Sequence, residues 1–398
     1  MFLEYGFEMI SAKPKVLHII TRLDPGGSAT NTLVSVDRLR QQGCDTALAY
    51  GVTDDPDGSL KERLLRMGAP TIRLPRLVRD VSPLKDWLAI RSIRRLLMQE
   101  HFDLVHTHTS KAGVLGRMAA WSCGVPAVHT PHGHVLYGYF GRAITALFVL
   151  VERRMARHTA RIISLTDRET RECLDRGIGR PEQYVTIHSG VPLSAFRKIP
   201  KETGVRFRAQ IGIPRDAFLF VSAGRLVPVK GFDVLLKGFA GANLGPRAGF
   251  LAVAGDGAER SNLEAMGRAL GISDRLRLLG DLADIRALLS AGDAFALASR
   301  NEGMGRVLVE AMAAELPVIG TAVGGIPTLI EDGVTGLLVP ACAPAAMARA
   351  MEKLAADPDL RLRFGRQSSE AVYPEYDEDI MIEKLSTLYR DVLEETRT

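Results

Sequence analysis

Residues Asn301–Gly325, NEGMGRVLVEAMAAELPVIGTAVGG, decide the fold. Val307, Leu308, Ala311 and Met312 recur at helical spacing, and the PVIGTA that follows is a short apolar run of the kind buried on both faces of a parallel sheet. Glu302 stands just before the helix and Glu310 inside it. Gly303 and Gly305 permit close backbone approach at the helix start, where unpaired N–H groups and the positive dipole end favour an anion. Glu310 is expected beside a core, where an unpaired carboxylate is costly. A ligand diol donating to it would satisfy it, and so would a salt bridge on the helix flank. Glu302, taken alone, equally fits a first-turn acid favoured by the dipole.

Outward from this stretch, short apolar runs alternate with amphipathic segments in two arrays, the pattern of parallel α/β sheets. The first array reads as strands at Val16–Ile20, Thr46–Tyr50, Thr71–Leu74, Leu104–His108, Ala127–Thr130, Ile162–Thr166 and Val185–Ser189. The second runs FLFVSAG from Phe218, then FLAVAG, LRLLG, AFALAS, PVIGTA and GLLVP. Between them VPLSAFRKIPKETG reads as a polar, proline-bearing linker, and the chain ends in a long amphipathic helix after YPEY.

At 398 residues the chain exceeds the size at which one core stops growing, so two domains are expected. No apolar run of about eighteen residues is present, and MFLEYGFEMISAKPK carries acids without a signal-peptide core. A cytoplasmic protein with an unstructured leader over 1–14 is expected. Cys44, Cys123, Cys173 and Cys342 are scattered and read as buried thiols. Up to Ala195 there are 26 Lys and Arg against 19 Asp and Glu, and beyond it 25 against 27, so the basic excess belongs to the first half. It concentrates at Arg66–Arg95 and Arg153–Arg161, surfaces suited to phosphate or anionic lipid, or to a solvated helix face. Few aromatics interleave these charges, which argues against nucleic acid.

In parallel α/β sheets ligands bind beyond the carboxyl ends of the strands, so the loops there carry the chemistry. After VLHIIT, Gly26 and Gly27 precede a helix start whose N–H groups suit a phosphate, or form an ordinary tight turn. After AVHT come His132 and His134; two alternate histidines suit a metal, but no third ligand stands nearby and no metal site is expected. His106 and His108 alternate on a strand, point to one face and read as supporting groups. In GRLVPVKGFDVLL, Arg225 and Lys230 bracket a strand-to-helix loop, as suits a diphosphate whose charge grows when a bond breaks. AGDGAER lacks the spacing of a dinucleotide fingerprint, and the DxD tripeptides Asp55–Asp57 and Asp357–Asp359 read as loop turns.

Together these segments are similar to glycosyltransferase family 4, retaining nucleotide-sugar transferases of GT-B fold, from about Lys15 to Leu393. The resemblance is carried by the double-glycine loop, HTSKAGVLGRMAA, TPHGH, GRLVPVKGFDVLL, AGDGAE, the E-x7-E of Glu302 and Glu310, and GGIPTLIEDGVTGLLV. HTHTSKAGVLGR and HGHVLYGYFGR most resemble transferases of bacterial capsule, O-antigen and exopolysaccharide assembly. Thr328 departs from the family, many members of which carry an acid there. The resemblance implies two Rossmann-like domains with parallel sheets facing across a cleft. An acceptor-binding domain spans 15–195, a nucleotide-sugar-binding domain 196–376, and a final helix over 377–398 crosses back to the first domain.

By the same resemblance, Gly26 and Gly27 approach the donor phosphates and His132 lies near the donor sugar. Arg225 and Lys230 hold the diphosphate. Glu302 contacts the sugar hydroxyls with the backbone of Gly303, Met304 and Gly305 nearby, and Glu310 takes the ribose diol. The implied activity is hexosyl transfer from a UDP-sugar to a glycan or lipid-linked acceptor, metal-independent and without a cofactor. The residues themselves suggest an anionic membrane surface at the inner face as a further partner, because the apolar run Ile144–Val151 is followed by RRMARHTAR; a core helix with a basic exposed end fits that run equally. Two other readings use the same fold: a UDP-sugar 2-epimerase, and a nucleotide-sugar-binding protein without turnover.

Overall fold

The computed structural model describes residues 13–24, 26–53, 59–133, 141–245 and 249–397. Residues 1–12 of the expected leader, Asp55–Asp57 and His134 lie outside the described residues. The chain forms two compact units, one running to Gly190 and resuming at Glu378, the other Val191–Asp377.

The first unit is a seven-stranded sheet of β1 (Lys15–Ile20), β2 (Asp45–Tyr50), β3 (Thr71–Arg73), β4 (Leu104–His108), β5 (Ala127–Thr130), β6 (Arg161–Ser164) and β7 (Tyr184–Thr186), in the order β3-β2-β1-β4-β5-β6-β7. The second is six-stranded: β8 (Phe218–Ala223), β9 (Gly249–Ala254), β10 (Leu276–Leu278), β11 (Ala294–Leu297), β12 (Val318–Thr321) and β13 (Gly336–Val339), in the order β10-β9-β8-β11-β12-β13. The strand pairs are parallel throughout. Strand order reverses between β1 and β4 and between β8 and β11, so each sheet has a switch point where connections leave to opposite sides.

Alternation along each strand distributes the first sheet between two cores. Leu17, Ile19 and Val105 face the helices Pro83–Glu100 and Ser110–Ser122 through Ala89, Ile93, Ala112 and Leu115. Val16, Leu104 and Val128 face the final helix, Glu378–Arg397, which buries Met381, Ile382, Leu385, Leu388, Tyr389, Val392 and Leu393 at helical spacing against them. His18, in register with His106 across β1 and β4, belongs to this second face with His106 and His108. The Tyr389 hydroxyl lies 2.5 Å from His106 Nδ1.

The structure alters several details of the sequence reading: Cys342 is exposed and Cys123 half-buried where buried thiols were expected, and β7 ends at Thr186 instead of Ser189. β6 ends at Ser164 instead of Thr166 because the Thr166 hydroxyl caps the next helix, accepting from Glu169 N–H at 3.2 Å, while the Leu165 amide donates to the Glu169 carboxylate at 2.8 Å. The stretch 191–204 is folded and not an extended linker, with helices Leu193–Arg197 and Lys201–Gln210 and with Val191, Leu193 and Phe196 buried. The compact units divide after Gly190 and after Asp377, where Val191 donates to the Tyr376 carbonyl at 2.9 Å and pairs with Asp377.

Tyr389→Phe leaves the buried Nδ1 of His106 unpaired, and removing one partner of a buried hydrogen bond costs about 1–3 kcal/mol. A lowered urea midpoint is expected; an unchanged midpoint would show that the hydroxyl does not brace the helix.

Candidate active site

In the second unit the site is built at the carboxyl ends of β8 and β11. The chain leaves β8 at Gly224, passes Arg225 and the turn Pro228–Lys230, and enters the helix Phe232–Gly241 through Gly231. Gly231 has φ 64°, and a Cβ there would lie 2.1 Å from the Ala298 carbonyl oxygen, so this loop must press against the end of β11. Arg300 fastens the contact: its amide donates to the Val229 carbonyl at 2.7 Å, and its guanidinium to the Pro228 carbonyl at 2.5 Å and to Asp233 at 2.7 Å.

This fastening brings Lys230 Nζ to 2.6 Å from Glu302 Oε2, which also accepts from the Ser299 hydroxyl at 3.0 Å. Both members of the pair are largely enclosed, with side-chain exposures of 19% and 13%. The Glu302 backbone is held in turn, since its carbonyl accepts from Gly325 N–H at 3.1 Å. Gly324, at φ 51°, would place a Cβ 1.8 Å from that same oxygen. Arg225 is exposed, and its side chain has no partner among the described residues.

Gly303, Met304 and Gly305 lead into the helix Arg306–Ala313, whose first turn has neither a side-chain cap nor an acid. Glu310, expected either to await a ligand or to pair on the flank, has a protein partner: Arg306 Nε lies 3.3 Å from its Oε1. Burial pushes the Glu310 carboxyl above its ordinary value, and Arg306 pulls it back. Thr328 turns its hydroxyl to the Gly325 carbonyl at 2.6 Å, and Asp357 caps the helix Pro358–Val372 through Leu360 N–H at 2.9 Å.

In the first unit Gly26 and Gly27 open the helix Gly27–Gln41, again without a side-chain cap or an acid in the first turn. A Cβ on Gly27 would meet nothing within 4 Å, so this helix start is open. His132 follows β5 at φ 59°, a conformation that a non-glycine residue holds only when its surroundings enforce it. Its Nε2 lies 2.9 Å from His108 Nδ1, and His108 Nε2 lies 3.0 Å from His18 Nδ1. His106 sits beside them, its Nδ1 on Tyr389 and its Nε2 2.8 Å from the Thr130 hydroxyl. Burial lowers all four histidines, His18 and His132 to about 3, so each imidazole is neutral near pH 7. The ligating nitrogens of His18, His106 and His108 lie within 4.8 Å of one another, close enough for a metal. The donor set is already committed, however: His106 and His108 spend both ring nitrogens on hydrogen bonds, and His18 Nε2 alone is left.

With this geometry in place, two families match: Glycosyl transferases group 1 over residues 205–371, and the Glycosyl transferase 4-like domain over 26–190. Over 271 residues, 67% of this chain and 70% of the relative, the chain is 33% identical to UDP-Gal:alpha-D-GlcNAc-diphosphoundecaprenol alpha-1,3-galactosyltransferase of Escherichia coli. The chain belongs to the group 1 glycosyltransferases. It is also 33% identical over 281 residues to D-inositol 3-phosphate glycosyltransferase of Streptomyces scabiei, spanning 63% of that protein's length. The fold is similar to that of Anabaena HepE in complex with UDP and glucose, with a TM-score of 0.83 over 95% of this chain and 100% of that one at 22% identity. The glycosyltransferase thus has the GT-B fold, two Rossmann-like units of parallel sheet and helix.

One residue of this glycosyltransferase that sequence reasoning missed is Glu169. It is buried on the helix Asp167–Leu174 and takes the Leu165 amide, while the Gly133 amide, next to His132, also favours its charged form. Burial outweighs both and pushes its carboxyl up to about 7 from an ordinary value near 4.5. Between these values the unfolded chain releases the proton first, so stability falls as pH rises through the window, by up to about 3 kcal/mol, and the loss is complete above it. Glu169→Gln keeps an acceptor for Leu165 and should flatten this dependence when chemical denaturation is compared at about pH 5 and about pH 8. Parallel slopes in the two proteins would show that Glu169 titrates normally.

Proposed function

We propose that this glycosyltransferase moves the sugar of a UDP-sugar, with retention of anomeric configuration, to a glycan or lipid-linked acceptor in cell-surface polysaccharide synthesis. The observation that carries this reading is the enclosed Lys230–Glu302 pair on the loops of a switch point, with the unpartnered Arg225 on the same loop. The name of the E. coli relative gives it UDP-Gal as donor and a diphosphoundecaprenol-linked acceptor, and HepE was solved with UDP and glucose; both support a UDP-sugar here.

The chemistry asks the protein chiefly for charge. As the anomeric bond breaks, negative charge builds on the diphosphate, and Arg225, Lys230 and the backbone N–H groups of Gly303, Met304 and Gly305 receive it. The incoming diphosphate gives Lys230 a second anion, which frees acceptor sites on Glu302 for the sugar hydroxyls. Glu310 keeps lone pairs beyond those facing Arg306 and takes the ribose diol. Gly26 and Gly27 offer N–H groups to phosphate, and His132 hydrogen-bonds the sugar. The acceptor hydroxyl attacks on the face that the nucleotide leaves, and its proton passes to the departing phosphate, so the cations stand in for a metal.

Because Arg225 is exposed and supports nothing else, Arg225→Ala should fold normally and lose roughly a hundredfold in rate, the scale of removing one preorganised charge-stabilising group. The assay is release of UDP and of glycosylated product from UDP-galactose or UDP-glucose, with and without EDTA. Full activity in the variant, a 2-epimerised sugar as sole product, or activity lost in EDTA and restored by Mn²⁺ would each overturn the corresponding part.

The acceptor we place at the inner face of an anionic membrane. Among the described residues no helix is long and apolar enough to cross a bilayer. The helix Arg142–Ala156 buries only one side of its apolar run, with Val149 packed on the core: Ile144, Leu147 and Leu150 are 50%, 60% and 62% exposed, and Arg142, Arg154 and Arg157 are exposed with them. Its neighbour Ser110–Ser122, joined to it by Arg117 Nη2 donating to both carboxylate oxygens of Glu152, exposes Met118 and Trp121. An apolar face rimmed by arginine suits the interface of an anionic bilayer. Vesicles containing anionic lipid should float the protein at low salt, less so at high salt, and not when Leu147 and Leu150 are changed to Ser and Arg154 and Arg157 to Gln. Protein that stays unbound to anionic vesicles at low salt would refute this surface.

A further inference from the structure

The buried histidines of the first unit form an ordered chain whose direction can be derived. His18, His108 and His132 are linked end to end, Nδ1 to Nε2 and Nδ1 to Nε2, at 3.0 and 2.9 Å. The ring planes differ by only 12° and 23°, with centroids 5.3 and 5.1 Å apart. Those centroid separations are close to the largest that the nitrogen distances permit, so each contact runs radially from ring to ring, as an N–H···N bond requires.

A neutral imidazole has one N–H and one bare nitrogen. If His108 donates through one nitrogen it must accept through the other, so both bonds run the same way. Two directions remain, and the far end distinguishes them. His18 Nε2 is buried and has no partner among the described residues. Were the protons directed from His132 inward, that atom would be an orphaned N–H in the core, which native structures rarely tolerate; with the opposite direction it is only an unused lone pair. His106 does not bias the choice, because both of its partners are hydroxyls able to donate or accept.

We propose that His18 and His108 are positioning residues that donate outward, His18 Nδ1–H to His108 and His108 Nδ1–H to His132 Nε2, and so fix His132 as its Nδ1–H tautomer. The lone pair of Nε2 is then occupied from within, and Nδ1, which has no partner among the described residues, presents a proton outward. His132 acts as a hydrogen-bond donor to a ligand oxygen and has no lone pair free for general-base work. Its role towards substrate rests on the transferase reading above, with which it agrees: deprotonation of the acceptor falls to the departing phosphate.

The test is nitrogen NMR of the full-length protein labelled with ¹⁵N-histidine, with the His132→Ala spectrum assigning that ring. A neutral His132 with protonated Nδ1 and bare Nε2 is expected near pH 7; a protonated Nε2, or a cation, would overturn the relay. In activity assays His108→Leu should lower kcat roughly tenfold or more with UDP affinity unchanged, the kind of loss seen when an imidazole is no longer held in its working tautomer. His108→Asn, which returns a donor near the position of Nδ1, should recover part of it. If both variants merely lower the melting temperature and leave the His132 resonances and kcat in place, the role is structural and the proposal fails. The two readings separate cleanly. The Nδ1–H tautomer in a protein without transfer upholds the relay and refutes the transferase, whereas an active enzyme with the Nε2–H tautomer does the reverse.

Discussion

The direct parallel pairing of β1 with β4, and of β8 with β11, is the constraint on which the rest of this molecule depends. At both places the connections leave to opposite sides of the sheet, so the loops diverge and backbone and polar groups stay accessible beyond the strand ends. Within the strands the reverse holds, because both faces are covered by helices and only apolar or internally bonded side chains survive there. The polar residues of this chain sort accordingly. Of those at the strand ends, Lys230 and Glu302 are held by loop contacts and Gly27 and Arg225 stand open, while those within β1 and β4, His18, His106 and His108, are bonded to one another and to neighbouring hydroxyls.

Enclosure changes what the Lys230–Glu302 pair is for. Withdrawing two charges from water costs several kcal/mol per ion, so such a pair is poor evidence of stabilisation in its own right. Here the surroundings contribute more than Coulomb attraction. The Ser299 hydroxyl supports the carboxylate, Gly324 and Gly325 clasp its peptide, and Arg300 pins the lysine loop to β11. The result is a cation and an anion at fixed positions before any ligand arrives, which is what preorganised charge stabilisation requires. Arg225, unsupported and exposed, is the complementary case: its cost in the ligand-free protein is small, and so is its positional accuracy.

Much of this was legible in the sequence. Runs such as FLFVSA and VLHII are short, apolar and bounded by loop residues, and each of the thirteen strands among the described residues overlaps a run so read. The ends were less legible, because Thr166 had two competing roles and its side chain bonded the helix backbone instead of extending β6. Arg306 stands four residues before Glu310, a spacing that announces an ion pair, so that partner could have been found. His18 and Glu169 could not. The first matters only through the register of β1 on β4, and the second through a helix that packs near the Gly133 amide; neither relation has a local sequence signal.

The final helix connects these levels. Residues 106 and 389 meet at a single buried hydrogen bond, and the same helix presents Met381, Leu385 and Tyr389 to the face of the sheet that carries the histidines. Without that cover His106 would exchange its hydroxyl partner for water and the row would lose the low dielectric that keeps every imidazole neutral. A proton added to His132 would occupy Nε2, the atom that accepts from His108, and would break the head-to-tail order there. The apolar spacing of the last twenty-residue helix therefore does more than close a core. By keeping water from β1 and β4 it preserves the neutral His18 and His108 through which, on the relay proposed above, the tautomer of a residue at the end of β5 is fixed.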